Sequence, residues 1–189
     1  MDHNLTIISS SNGTIGLVDA MNVLKRGGSA LDAVETGIRI VESNADDHSV
    51  GYGGYPNIIG DVELDAALME GKELTSGAVG AVRNCEHPIS VARIVLDNLP
   101  HVLLVGEGAE RFAREVGFEN KSLLTEEARA IWQQRIEDDL PTIPISRIRK
   151  VSQLWRLIEI TTDPERTHGT TNFIALDDAG TLAAGISTS

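Results

Sequence analysis

The stretch THGTTNFIALDDAGTLAAGISTS, residues 167–189, places a glycine and a threonine directly before a run of β-forming residues. A threonine hydroxyl is a poor nucleophile because its pKa lies far above 7, so it needs a base. If the bond between Gly169 and Thr170 breaks, Thr170 becomes the first residue of a new chain. Its free α-amine, with a pKa near about 8, can then accept the hydroxyl proton. The pair is therefore compatible with an N-terminal threonine nucleophile, although glycine–threonine pairs at such junctions are common.

Glycine before the threonine suits that cleavage. Gly169 has no Cβ, so it tolerates the strained backbone in which the Thr170 hydroxyl attacks the preceding carbonyl carbon. The acyl group moves from nitrogen to oxygen, and water then hydrolyses the ester. The alternative is a glycine–threonine pair that only joins a loop to a strand. His168 is adjacent, but neighbouring residues on an extended segment point to opposite faces, so we interpret it as a connector residue.

Three other groups of residues have both a chemical and a structural interpretation. Asp65 and Asp177 could be paired carboxylates for acid–base chemistry, although a polar group at a strand end and a turn former are favoured. Cys85, the only cysteine, is favoured as an inert small residue. The glycine-rich loop SVGYGGYPN, residues 49–57, either lines a cleft or turns the chain sharply.

The composition limits the classes of function. A chain of 189 residues with 41% hydrophobic residues is long enough for one sizeable core, so we expect one domain over residues 1–189. A formal net charge of −12 disfavours a nucleic acid partner. One cysteine excludes an internal disulfide and a Cys/His zinc framework, and we expect no metal and no cofactor.

The N terminus and the apolar segments indicate the compartment. The first ten residues lack the basic region and apolar run of a leader peptide, and no 18-residue apolar stretch occurs. We therefore expect a cytoplasmic protein with no membrane partner.

The elements that must position the glycine–threonine pair are short. Apolar spacing predicts strands at 5–9, 62–69, 78–82, 101–105, 173–176 and 182–186, and helices at 14–26, 29–41, 88–99, 106–117 and 124–136. Ser29 and Asp32 indicate a capping box, and DDAG between the last two strands indicates a turn. Residues 120–168 are charged and contain prolines, so we expect a weakly ordered connector with a helix or strand at 154–160.

Several stretches together resemble one known family. GTTNFIALDDAGTLAAGISTS resembles the autocleavage segment of the glycosylasparaginase and isoaspartyl peptidase family, the type 2 asparaginases among the N-terminal-nucleophile hydrolases. The stretches LDAVETGIRIVE, SVGYGGYPN, VELDAALMEG, HPISVARIVLDNLPHVLLVGEGAERFA and LLTEEARAIW are similar to the glycosylasparaginase branch, in the same order. The resemblance covers essentially the whole chain and implies an α/β fold, a four-layer αββα sandwich. A doubly wound parallel sheet is the alternative, because residues 101–118 form a strand followed by a helix.

The resemblance also implies roles and partners. Thr170 matches the nucleophile, Gly169 the residue on the acyl side of the scissile bond, and Thr188 a second threonine that hydrogen-bonds near the nucleophile. Residues 1–169 would form the α-subunit region and residues 170–189 the start of the β-subunit region. The implied substrate is a small molecule, either asparagine with a free or glycosylated side-chain amide or a β-aspartyl peptide. The implied assembly is a homodimer of precursors or an αβ heterotetramer.

Four positions depart from the family pattern. Gly169 stands where the glycosylasparaginase branch commonly has an aspartate, although other branches carry glycine. Asn172 replaces a usual glycine and Ile186 replaces a threonine. Ser11 occupies the position of a substrate-contacting tryptophan, so it is a candidate substrate-binding residue. We expect Asn172 to slow cleavage.

Family precursors continue past the position of Ser189, and that part supplies the substrate clamp and the oxyanion donors. We therefore expect the 189-residue chain alone to be inactive and its last hairpin to leave an unpaired apolar edge. Three classes of function stay open: an amidohydrolase, a truncated and catalytically silent relative that binds or dimerises, and an unrelated α/β ligand-binding domain.

Overall fold

The protein is a mixed α/β structure, seen in a computed structural model that describes residues 5–57, 59–139 and 169–189. The strands are β1 (Thr6–Ser9), β2 (Leu64–Glu70), β3 (Thr75–Val82), β4 (Leu103–Val105), β5 (Thr170–Leu176) and β6 (Leu182–Thr188). The helices are α1 (Leu17–Lys25), α2 (Ala30–Glu42), α3 (Pro88–Asn98), α4 (Gly106–Glu115) and α5 (Glu126–Asp139), with a 3₁₀ helix at Ser11–Gly16. The segment predicted at 154–160 and His168 lie outside the described residues.

All six strands join one sheet in the order β1-β5-β6-β2-β3-β4. Among the described strands, β3 and β4 pair in parallel and the other four pairings are antiparallel. Tight turns join β2 to β3 and β5 to β6, and such connections allow only antiparallel neighbours. The predicted hairpins are confirmed, and the doubly wound parallel alternative is wrong.

The hairpin of β5 and β6 lies inside the sheet. Strand β5 pairs with β1 and β6, and β6 pairs with β5 and β2. The expected unpaired apolar edge is therefore wrong, because β1 and β2 satisfy both sides of the hairpin.

Helices α2 and α3 pack on one face of this sheet, where α2 contacts β5 and β6 and α3 contacts β2 and β3. One close approach is between Gly37 of α2 and the fully buried ring of Phe173, since a Cβ at Gly37 would overlap that ring. The opposite face, which we call the open face, carries large apolar side chains that are 39% to 60% exposed. They are Ile8, Met69, Leu103, Val105, Ile174, Leu182 and Ile186.

Local sequence signals explain where most helices and strands begin and end. Two elements differ from the prediction. The capping box of α2 is confirmed, because Asp32 N–H donates to Ser29 Oγ and Ser29 N–H donates to Asp32 Oδ2. The predicted helix at 14–26 is instead a 3₁₀ helix followed by α1, and Thr14 Oγ1 donates to the Ser11 carbonyl within the first turn. Strand β3 starts earlier than predicted, at Thr75, because it pairs with the whole of β2 up to Glu70.

In the described part of the chain, none of the helices combines the length and the apolarity needed to cross a bilayer.

Candidate functional site

The two predicted site threonines lie side by side. Strand β5 begins at Thr170, which is directly opposite Thr188 in the register of β5 and β6. The Thr170 hydroxyl donates to Thr188 Oγ1 at 3.1 Å, and the Thr188 hydroxyl donates to the Gly169 carbonyl oxygen at 2.9 Å. One hydroxyl thus contacts both the candidate nucleophile and the candidate scissile carbonyl. A donor at that oxygen favours nucleophilic attack, because it stabilises the negative charge that develops there.

Strand alternation puts this pair on the open face. Thr170 and Thr188 are half-buried there, while their neighbours Thr171 and Ser187 point into the core and are fully buried. The Thr171 hydroxyl has no hydrogen-bond partner in the described structure. Of the two consecutive threonines, only Thr170 is therefore placed for chemistry.

The end of β1 fixes β5 just after the nucleophile position. Ser10 N–H donates to the Asn172 carbonyl at 3.1 Å, and Asn172 N–H donates to Ser10 Oγ at 3.0 Å. Ser10 Oγ in turn donates to Asn12 Oδ1, and Asn12 Nδ2 donates to Asp47 Oδ2. Sequence reasoning missed this polar chain, because SSSN reads locally as a turn.

Ser11, the predicted substrate-binding residue, is exposed at the start of the 3₁₀ helix. In the described part of the chain it makes no hydrogen bond to Thr170 or Thr188; its neighbour Ser10 makes the contact with β5 instead. Its role as a substrate contact stays a prediction.

The glycine-rich loop holds the other end of the site. Ser189, directly after β6, donates from both its N–H and its hydroxyl to the Ser49 carbonyl, at 3.2 and 2.9 Å. Gly51 has a φ of +68°, and a Cβ there would overlap the Glu42 carbonyl oxygen. Tyr52 N–H donates to that same oxygen at 2.7 Å. The loop both turns the chain and approaches another backbone closely, beside the strand end that carries Thr188.

A buried carboxyl lies behind the threonine pair, and sequence reasoning missed it as well. Glu42, the last residue of α2, is fully buried. Its Oε1 accepts from Ser187 Oγ at 2.7 Å and from Ile89 N–H at 3.1 Å. Its Oε2 lies 3.4 Å from His87 Nδ1. Burial raises the pKa of the Glu42 carboxyl, against the opposing effect of His87 and Ser187.

This raised pKa predicts a pH dependence of stability. The folded chain retains the Glu42 proton at pH values where the unfolded chain has lost it, so the stabilisation is complete below the unfolded pKa and declines as pH rises through the folded pKa. Glu42→Gln, which is neutral and isosteric, should remove that decline. We expect the free energy of unfolding of the wild type minus that of Glu42→Gln to fall as pH rises above 4.5, the usual pKa of a glutamate, by at most about 1.4 kcal/mol per pH unit.

Urea unfolding of both proteins at each pH measures this difference. A difference that stays constant, or that rises with pH, contradicts the prediction.

The remaining candidates have structural roles. Asp65 Oδ1 accepts from Ala81 N–H at 2.8 Å, and Asp177 accepts from Ala30 N–H at 3.0 Å. The two carboxylates do not form a pair, because Asp65 lies opposite Thr188 in the register of β2 and β6 and Asp177 follows the far end of β5. Burial raises the pKa of the Cys85 thiol to about 11, so this cysteine is not a thiolate at neutral pH. Among the described residues, no group of three or more His, Cys, Asp or Glu side chains could hold a metal ion.

Comparison with known proteins identifies the family of the chain. A family model described as Asparaginase matches residues 12–189. The chain belongs to this asparaginase family. The match excludes an unrelated α/β ligand-binding domain.

Three relatives illustrate the range of the asparaginase family. The chain is 40% identical to an N(4)-(β-N-acetylglucosaminyl)-L-asparaginase of Elizabethkingia miricola, over 91% of this chain and 45% of the relative. It is 36% identical to an isoaspartyl peptidase/L-asparaginase of Mus musculus, over 90% of this chain and 47% of the relative. It is 40% identical to a plant-type L-asparaginase of Pyrococcus furiosus, over 84% of this chain and 51% of the relative. The chain spans about half the length of these relatives.

Proposed function

We propose that this chain carries the nucleophile of an asparaginase-type amidohydrolase. The enzyme would hydrolyse the side-chain amide of asparagine, glycosylated or not, or a β-aspartyl peptide bond. The observation that carries this proposal is the contact of the Thr188 hydroxyl with both Thr170 Oγ1 and the Gly169 carbonyl oxygen. The names of the three relatives support the substrate class.

The first chemical step would be self-cleavage. Thr170 Oγ attacks the carbonyl carbon of Gly169, the C–N bond breaks, and the leaving nitrogen becomes the α-amine of Thr170 as it takes up the hydroxyl proton. Water then hydrolyses the resulting ester, which leaves a Gly169 carboxylate and a free Thr170 hydroxyl. The α-amine is now the base that the hydroxyl lacked.

Hydrolysis of the substrate would use the same nucleophile, the Thr170 hydroxyl. The Thr170 hydroxyl, deprotonated by its own α-amine, attacks the substrate's side-chain carbonyl, and the protonated α-amine donates its proton to the departing amine. Water then releases aspartate from the acyl-threonine. Thr188 would hold the Thr170 oxygen in place, because the two hydroxyls are already hydrogen-bonded.

The open face supports the proposed four-layer architecture. It exposes Ile8, Ile174 and Ile186 on the face that carries the site threonines, and such an apolar face on a sheet is stable when another layer covers it. We propose that a second sheet, from sequence corresponding to the other half of the relatives, packs there and encloses Thr170. Residues 1–169 and 170–189 would then belong to the α and β subunits, which assemble from a homodimer of precursors into an αβ heterotetramer.

The test is hydrolysis by the protein expressed from its complete reading frame. We expect ammonia or aspartate release from asparagine, or cleavage of a β-aspartyl dipeptide, with no release by Thr170→Ala. The 189-residue chain, which spans about half the length of its relatives, should show no turnover by itself. Turnover that survives Thr170→Ala would overturn the proposed role of this residue.

Asn172 should limit the rate of self-cleavage. Its side chain is exposed on the open face, two residues after Thr170, and its N–H is held by Ser10 Oγ. Asn172→Gly should speed cleavage about 10-fold, because glycine relieves strain as the adjoining backbone distorts. Asn172→Ala is the matched control, since it removes the amide but retains Cβ. Band densities on a denaturing gel over time give the rates, and equal rates for wild type and Asn172→Gly would remove Asn172 from the mechanism.

A further inference from the structure

The contact between Glu42 and Ser187 links the core to the site. Ser187 Oγ donates to Glu42 Oε1 at 2.7 Å, and both residues are completely buried. Ser187 immediately precedes Thr188, and their side chains lie on opposite faces of β6. Because both residues belong to the same paired strand, holding the Ser187 side chain also restricts the direction in which the Thr188 side chain points.

Glu42 also anchors the surroundings of that strand end. Its Oε1 accepts from Ile89 N–H in the first turn of α3, where a negative charge is favourable. Its backbone carbonyl accepts from Tyr52 N–H in the glycine-rich loop, and that loop binds Ser189 through the Ser49 carbonyl. Glu42 therefore connects α2 to α3 and to Ser187, just before Thr188. Through the loop it is also connected to Ser189, just after Thr188.

A carboxyl at this place is costly for the fold. Burial of an ionisable group opposes folding, and apolar side chains in such positions are often as stable or more stable. His87 Nδ1 lies 3.4 Å from Glu42 Oε2, and neither atom has a hydrogen-bond partner in the described structure. The contact between His87 and Glu42 therefore offsets the cost of burying the carboxyl only in part. The geometry of the polar contacts, rather than stability, explains the presence of a carboxyl.

We propose that Glu42 is a positioning residue, which acts through Ser187 to hold the Thr188 hydroxyl between Thr170 and the Gly169 carbonyl. The expected effect on cleavage rests on the proposed function. The expected effect on the position of Thr188 rests only on the contacts of Glu42. Loss of the Glu42–Ser187 bond should leave the fold intact but allow Thr188 to move. Misplacement by about 1 Å can slow a reaction about 100-fold.

Four variants separate positioning from stability. Ser187→Ala removes only the contact, Glu42→Leu removes the carboxyl, and Glu42→Gln retains an oxygen that accepts from Ser187 and Ile89. Ser90→Ala is the matched control, because Ser90 is also buried and its hydroxyl donates to a glutamate of α2, Glu35, at 2.6 Å.

The first measurement does not depend on cleavage. In a Thr170→Ala background, amide hydrogen exchange of residues 186–189 should be about 10-fold faster in Ser187→Ala and Glu42→Leu than in the parent. Exchange between β2 and β3 should stay unchanged, and Glu42→Gln and Ser90→Ala should match the parent at both places. Unchanged exchange at 186–189 in Ser187→Ala would overturn the proposal, and so would equal acceleration by Ser90→Ala.

The second measurement is the self-cleavage rate of the same variants with Thr170 present, in the protein from its complete reading frame. Ser187→Ala should slow cleavage about 10- to 100-fold, and Glu42→Gln and Ser90→Ala should stay within about 2-fold of wild type. A Ser187→Ala protein that cleaves at the wild-type rate would overturn the proposal. A wild type that never cleaves would contradict the proposed function instead. The hydrogen-exchange measurement alone would then test whether Glu42 positions Thr188.

Discussion

Thr170→Ala should abolish both self-cleavage and amide hydrolysis, with rates at least about 10⁴-fold below those of the wild type, as expected when a nucleophile is removed. The reason is that the Thr170 oxygen forms the new ester bond in each proposed reaction, and Thr188 Oγ1 cannot replace it because that hydroxyl already donates to the Gly169 carbonyl. Gel analysis and ammonia release measure the two rates.

Thr171→Val is the matched control for that experiment. Thr171 is the next residue, but its hydroxyl is buried against the helices without a partner in the described structure. Valine has the same shape and removes this unsatisfied group, so stability should stay equal or rise. Cleavage should proceed at the wild-type rate. If Thr171→Val were as inactive as Thr170→Ala, the assignment of the nucleophile to Thr170 would fail.

Thr188→Val should slow self-cleavage about 10²- to 10³-fold, the usual effect of removing one hydrogen-bond donor from a developing oxyanion. The Thr188 hydroxyl donates to the Gly169 carbonyl oxygen at 2.9 Å, and this oxygen becomes negative when Thr170 attacks. Valine retains the shape and the β-branch of threonine, so β6 should remain paired with β5 and β2.

Thr188→Ser is the matching rescue. Serine returns the hydroxyl without the methyl group, and we expect cleavage within about 10-fold of the wild type, the difference arising from its freer side-chain rotation. The rates come from single-turnover time courses with purified precursor. Equal rates for Thr188→Val and the wild type would show that Thr188 neither polarises the carbonyl nor orients the nucleophile.

The local parts of the fold could be predicted from the sequence. The capping box of Ser29 and Asp32 is fixed by residues three positions apart, and the DDAG turn closes the hairpin of β5 and β6 by its own chemistry. The approach of Thr170 and Thr188 follows from that turn, because the register of a hairpin is set by its loop. The resemblance supplied the roles of these threonines, since a glycine–threonine pair before a strand is not specific.

The contacts between distant segments could not be predicted in this way. Glu42 and Ser187 are separated by 145 residues. The spacing of Glu42 from Val34 and Ile38 places it on the apolar face of α2, but no local pattern identifies the group that it contacts. Ser10, which holds Asn172, lies 162 residues away from it. The failed expectation of an unpaired edge has the same origin, because only the tertiary fold places the hairpin between β1 and β2.

The most direct test of the central claim is the mass and the N-terminal sequence of the chains in the purified protein from its complete reading frame. We predict two chains, one that ends at Gly169 and one that begins at Thr170 with the sequence TTNFIALDD, and a single uncut chain for Thr170→Ala. An intact wild-type chain after prolonged incubation, or a new N terminus at a residue other than Thr170, would contradict the assignment of Thr170 as an N-terminal nucleophile.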